Sequence, residues 1–169
     1  MNKLYIYTDG GARGNPGPAG IGIIISEKKL EEKKPSDYLI NSEQAKLGAA
    51  RMIKKYSEYI GEATNNEAEY QALIFALRKA KGIFKKADLA GKGQAECFLD
   101  SELVVRQLNH QYKIKDKNLI ELFIKVWNLM LDFGKVTFKY IPREKNREAD
   151  RLVNKALNAK EKRRSLPGI

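Results

Sequence analysis

Between Lys3 and Gly20 the chain runs KLYIYTDGG and then ARGNPGPAG. Leu4, Ile6 and Thr8 alternate with Tyr5, Tyr7 and Asp9, and this β-branched and aromatic period of two predicts a strand that ends on a carboxylate. The glycines and prolines that follow form a turn-rich loop whose backbone can come very close to a ligand, because it has few side chains to stand in the way. Asp-Gly is also a common hairpin signal, in which the Asp does no more than close a turn.

The rest of the chain can be read outward from this strand. Ile21 to Ser26 is a second apolar run, expected to pair with the first across a long hairpin loop. Lys28 to Lys34 is charged and stops at Pro35, Ser42 to Met52 has the spacing of a short helix capped by Ser42, and Lys54 to Ile60 reads as a third strand ending at Gly61. Thr64-Asn65-Asn66-Glu67 fits a capping box, and the helix it opens runs to about Lys81 with Ala68, Ala72, Phe75 and Ala76 on one stripe. After a linker from Gly82 to Gly93, Ala95 to Leu99 is a fourth strand that runs into Asp100. Ser101 to Leu108 is a short helix and His110 to Lys117 a basic loop. Leu119, Phe123, Val126 and Met130 then recur at helical spacing, with Trp127 widening the face. Val136 to Ile141 alternates into a fifth strand that Pro142 stops. The last helix spans Glu148 to about Ala159 with Asn146 as its cap, followed by a frayed basic tail.

The order is therefore β, β, β, α, β, α, α, β, α. Short links between the first three strands predict an antiparallel meander, whereas strands separated by helices must return parallel through crossovers. The expected fold is α/β, with residues 1–158 forming a single domain and 159–169 the tail.

Lys and Arg number 32 against 21 Asp and Glu, and the net charge of +11 points to a polyanionic partner, although a basic surface also serves solubility. One cysteine, Cys97, cannot form an internal disulfide and sits among core-type neighbours, which fits a cytoplasmic protein. No apolar segment precedes Asp9, and no later run approaches the ~18 apolar residues of a membrane span. A single His and a single Cys exclude the usual zinc spacings.

Four carboxylates stand where elements begin or end. Asp9 and Asp100 are at strand exits, Glu69 is about one turn into the capped helix, and Asp150 is in the first turns of the last one. If strands one and four are adjacent and parallel, Asp9 and Asp100 come within roughly 5 Å in backbone terms, at the sheet edge where open α/β folds bind ligands. Like charges so close cannot all stay ionised without a cation, so the cluster predicts a metal, and hard oxygen ligands favour Mg²⁺ or Mn²⁺. Two such ions could activate a water and stabilise the leaving oxygen of a phosphoryl displacement. Taken singly, Glu69 and Asp150 are also explained by the helix dipole.

YTDGG with GNPGP, TNNEAEY (64–70), FLDS (98–101) and IPREKNREAD (141–150) together resemble a type 1 ribonuclease H, in its short archaeal and bacterial form. The resemblance runs from Leu4 to about Lys155. It implies the ribonuclease H fold, a five-stranded mixed sheet of three antiparallel strands then two parallel, with helices on both faces. It also implies that Asp9, Glu69, Asp100 and Asp150 form the metal-binding catalytic set, and that the RNA strand of RNA/DNA hybrids is cut endonucleolytically to leave 3′-hydroxyl and 5′-phosphate ends.

By the same resemblance, Gly10, Gly11, Gly14, Asn15, Thr64, Asn65 and Asn66 contact substrate; capping accounts for Thr64 equally well. The catalytic His of the longer bacterial form has no counterpart, since His110 lies in a distant loop. Arg143 occupies the corresponding region and is expected to assist product release or contact phosphate; permanently protonated, it cannot be a general base. The basic protrusion of the longer form is missing, and Lys113, Lys115 and Lys117 in the short loop are expected either to replace it in part as phosphate contacts or to be simply solvated. Glu102 replaces the family's usual Gln, and residues 35–52 are an insertion. The expected protein is a monomer with no obligate protein partner, acting on hybrids and, as short relatives suggest, on double-stranded RNA. The alternatives are a non-catalytic nucleic-acid-binding module and a transposase-like or exonuclease-like nuclease on the same fold.

Overall fold

In a computed structural model of the protein, residues 2–30 and 53–164 are described. The expected helix over 42–52 and insertion over 35–52 lie outside them, as do residues 165–169 of the tail. The elements are β1 (Lys3–Ala12), β2 (Gly17–Ser26), β3 (Ile53–Ala63), α1 (Asn65–Lys86), β4 (Gln94–Leu99), α2 (Glu102–Leu108), α3 (Lys117–Met130), β5 (Lys135–Tyr140) and α4 (Arg147–Arg164), with a single 3₁₀ turn at Arg143–Lys145 before α4.

The strands form one sheet in the order β3-β2-β1-β4-β5. β1 pairs antiparallel with β2 and β2 with β3, while β1 pairs parallel with β4 and β4 with β5. This is the mixed sheet expected from the element order. On one face the buried residues Leu4, Ile6, Ile23 and Cys97 meet Leu73 and Leu77 of α1, Val104 of α2 and Val126 of α3 in the main core. On the other face Tyr7 and Phe98 stack with ring centroids 4.7 Å apart, and Leu152 of α4 packs on the same cluster.

Several elements run further than their local patterns indicate. β1 continues past Asp9 because β2 goes on pairing with it to Ala12↔Ala19, so the connecting loop is only residues 13–16 and is closed by Arg13 N–H donating to Pro18 O (2.8 Å). α1 crosses Gly82 to Lys86 because Ile83 and Phe84 extend its buried stripe, and the Phe84 ring meets Phe133 edge-on at 5.9 Å. α4 reaches Arg164, beyond the expected end near Ala159. Trp127 does not widen the buried face of α3: it is 49 % exposed, whereas Leu119 and Val126 are buried and Leu122, Phe123, Leu129 and Met130 pack against the core beside them.

Two glycines let helices approach the sheet closely enough to build a site. A Cβ on Gly10 would lie 2.2 Å from the carbonyl carbon of Ala68 in α1, and one on Gly22 would lie 2.1 Å from the Ala149 oxygen of α4. Their bare backbones bring Glu69 to β1 and seat the first turns of α4 against β2.

Candidate active site

The β1–β4 ladder ends at Thr8↔Leu99, so the next residue of each parallel strand, Asp9 and Asp100, emerges at the same sheet edge. Asp9 therefore sits not at the end of β1, as its sequence context suggests, but where β1 loses its parallel partner. The N-terminus of α1 delivers the third carboxylate. Thr64 accepts from the Glu67 N–H (3.2 Å) and the Glu67 carboxylate accepts from the Thr64 N–H (2.7 Å), completing the capping box, and Glu69 follows half a turn on. One carboxylate oxygen from each of Asp9, Glu69 and Asp100 can be chosen so that all three lie within 4.8 Å of one another.

Asp150 is in the same cleft but apart from that cluster. Its Oδ1 accepts from Arg143 Nη2 at 2.8 Å, and its Oδ2 accepts from Asn154 Nδ2 at 3.2 Å. The fourfold acidic set implied by the resemblance thus divides into a triad and an Asp150–Arg143 pair. Arg143 projects from the 3₁₀ turn with 79 % of its side chain exposed, so it can exchange partners at little cost.

The triad is electrostatically strained. Burial, then the charges of Asp100 and Asp150, push the Asp9 carboxyl up to about 7. Burial followed by Asp9 and Asp100 raises Glu69 well above the usual carboxylate range. Asp100 is also raised, chiefly by burial, although the hydrogen bond from Asn146 favours its charged form. Glu69 Oε2 is buried without a hydrogen-bond partner. Hard oxygen donors, like charges held together and an orphaned carboxylate oxygen are what a divalent cation would satisfy, and the donor set suits Mg²⁺ or Mn²⁺.

The cleft has a volume of about 430 Å³, and its lining includes Asp9, Glu69, Asp100, Asp150, Arg143 and Asn65. Gly10 and Gly11 also line it, while Gly14, Asn15, Thr64 and Asn66 do not. Asn15 and Asn65 instead lock the loop to α1: Asn65 N–H donates to Asn15 Oδ1 (3.0 Å) and Ala12 N–H donates to Asn65 Oδ1 (2.9 Å). The Thr64 hydroxyl is engaged with Glu67. Glu102 is held by Arg106 at 2.7 Å, and exposed His110 lies edge-on to Phe123. Lys113 and Lys115, on the loop before α3, and Lys117, the first residue of α3, are exposed, and the start of α3 reaches the α1 N-terminus through Asn118 Nδ2 donating to Glu67 Oε1 (2.8 Å).

Asn146 plays a larger part than the cap its position suggests. Its backbone oxygen accepts from the Ala149 and Asp150 N–H groups and so starts α4, but its side chain turns inward. Nδ2 donates to Thr8 O at 2.8 Å and to Asp100 Oδ1 at 3.3 Å, so this one buried residue connects β1, the exit of β4 and α4. In the sequence it is marked only as the cap of the last helix, four residues before Asp150.

A five-stranded mixed sheet with a carboxylate cleft at the end of its central parallel pair defines an α/β protein of the ribonuclease H fold. A family model described as reverse transcriptase-like matches residues 7–156. The chain is 36% identical over 157 residues to a bifunctional protein of Mycobacterium tuberculosis, covering 93% of this chain and 36% of that protein. It is 31% identical over 157 residues to ribonuclease HI of Halobacterium salinarum, covering 92% of this chain and 65% of the relative. The solved structure of a ribonuclease H1 named LC11, in complex with an RNA/DNA hybrid, is 40% identical, with a TM-score of 0.71 and coverage of 92% of this chain and 97% of that one. The chain belongs to the type 1 ribonuclease H family. It spans about a third of the length of the first curated relatives it matches.

Proposed function

We propose that the protein is an endoribonuclease that hydrolyses the RNA strand of RNA/DNA hybrids in a divalent-metal-dependent reaction, leaving 3′-hydroxyl and 5′-phosphate ends. The observation that carries this reading is the Asp9–Glu69–Asp100 triad with Asp150 and Arg143 in the same cleft. Among the described residues no Ser, Cys, Lys or His lines that cleft, and its four carboxylates are the hard oxygen donors that a divalent cation takes. Asp9, Glu69 and Asp100 would hold the metal, with Asp150 joining them once Arg143 releases it. Two bound Mg²⁺ or Mn²⁺ ions would supply activation of the attacking water and stabilisation of the leaving oxygen.

The chain's own groups orient the substrate. Gly10 and Gly11 present bare backbone along the cleft to a sugar–phosphate chain, and Asn65, in the same lining, offers an amide that can read a 2′-hydroxyl. Arg143 is poised to exchange the Asp150 carboxylate for a phosphate oxygen, which favours departure of the 5′-phosphate product. The alternative of a binding-only module gains nothing from three clustered like charges, two of them buried, which cost stability unless a cation is held. On this reading the protein works in the cytoplasm as a monomer; no helix among the described residues is long and apolar enough to cross a membrane.

The test is cleavage of a strand-labelled hybrid beside matched duplex DNA and duplex RNA, with Mg²⁺, with EDTA and with Asp100→Asn. Internal cuts in the RNA strand, extendable by a polymerase and lost with EDTA and in the variant, are expected. Tight binding without cleavage would establish the binding module instead, and cuts in duplex RNA would widen the substrate range.

A further inference from the structure

We propose that the outer face of α4 is a second nucleic-acid contact, which takes the sugar–phosphate backbone of the hybrid beyond the base pairs over the acidic cleft. The inference rests on the hybrid-cleavage reading and adds a surface to it. Arg147, Arg151, Lys155 and Lys162 recur along this helix with Asn154 and Asn158 between them. At 3.6 residues per turn the six fall within about 100° of arc and along about 22 Å of helix, and all are exposed.

Five of the six, all but Arg147, line a groove, and Asn154 also lines the acidic cleft, so the two share a wall. The sign of charge changes across that wall. On one side the four carboxylates Asp9, Glu69, Asp100 and Asp150 outnumber Arg13 and Arg143, while the groove on the other is lined by cations, amides and one alanine and holds no carboxylate. The carboxylates of α4 are engaged off the stripe: Asp150 by Arg143, Glu161 by Arg13, and Glu148 by Lys55 at 2.8 Å with Arg151 more distant at 3.4 Å.

A polyanion cannot be drawn to a carboxylate cleft by that cleft alone, so its affinity must come from flanking cations. Lys113, Lys115 and Lys117, near the α1 N-terminus, stand on one side, and the α4 stripe borders the cleft through Asn154. At 3.4 Å of duplex axis per base pair, 22 Å spans roughly six base pairs. The free amide hydrogens of Asn158, whose oxygen accepts from Arg13, suit phosphate or 2′-hydroxyl oxygens.

The test is binding of a fluorescent 18-base-pair hybrid in EDTA, by anisotropy over a salt series, with Arg151→Gln/Lys155→Gln. A control, Lys85→Gln/Lys86→Gln, removes the same charge from exposed residues at the far end of α1. Thermal melts verify that both variants fold. The α4 variant is expected to bind about 10-fold more weakly at low salt and to lose about 1–2 from the slope of log K against log salt, with the control close to wild type. Equal slopes in the two variants, whether both shifted or both unshifted, would overturn the α4 contact. Failure of the wild-type protein to cut hybrid with Mg²⁺ would overturn the functional reading instead, so the two failures are separable.

Discussion

In the metal-free protein, Asp9→Asn should raise stability, although it removes a residue at the centre of the site. Asp9 is 8 % exposed and its carboxyl is pushed from 3.8 to about 7, first by burial and then by Asp100 and Asp150. A folded-state value above the unfolded one means that the native protein binds the proton more tightly, so stability falls as pH rises from about 4 to about 7 and the full penalty persists above that. Three units at 1.36 kcal/mol each give about 4 kcal/mol at pH 8, and less than half of that at pH 5. For a domain of this size the gain in Tm is on the order of 10 °C at pH 8. Asn keeps the shape of Asp and can still hydrogen-bond Glu69, so little packing is lost. The assay is thermal unfolding by circular dichroism in EDTA at pH 5 and pH 8, then with saturating Mg²⁺. Mg²⁺ should raise the wild-type Tm at pH 8 and narrow the gap, because it offsets the same charge. A variant Tm at or below wild type at pH 8 in EDTA, or a gain of equal size at both pH values, would refute the account of the triad as strained by burial and like charge.

Gly22→Ala places a methyl 2.1 Å from the Ala149 oxygen, so α4 must lift from β2; a loss of about 3 kcal/mol or more in urea unfolding is expected, with a fall in activity as Asp150 moves. Gly61→Ala meets nothing within 4 Å and bears only its φ of +90°, so it should cost about 1–2 kcal/mol; an equal or greater loss than Gly22→Ala would contradict the packing argument. Asn146→Ala strips the Thr8 oxygen of its donor and should cost about 1–3 kcal/mol, while the Asp100 carboxyl, deprived of the amide, titrates at higher pH in metal-free NMR. An unmoved Asp100 titration would show that Asn146 does not act on the triad. Arg143→Ala should slow turnover more than single-turnover cleavage, since its expected part is product departure; equal slowing of both would place it in the chemical step.

How much of this could be read from the sequence differs by residue. The strand of Leu4 to Thr8, the Thr64–Glu67 cap and the element order are short-range properties, written in alternation, helical spacing and side chains that bond within three residues. Element ends were less legible, because partners far along the chain set them: β2 carries β1 past Asp9, and the buried Ile83 and Phe84 carry α1 across Gly82.

The four acidic positions stood out because carboxylates at strand exits and helix starts form a pattern, and the family resemblance named them. Composition and local pattern alone determined a basic α/β chain with carboxylates at its element boundaries. Only the tertiary structure decided that Asp9 and Asp100, 91 residues apart, leave adjacent parallel strands at one level, and that Asp150 pairs with Arg143 rather than joining the triad. It also decided that Asn146, at the cap position of α4, turns its side-chain amide away from that helix to Thr8 and Asp100. The physical reason is that periodicity and capping are energies of neighbours in sequence. Strand order, carboxylate separation and the choice among hydrogen-bond partners are energies of neighbours in space, which exist only once the sheet has closed and the helices have docked.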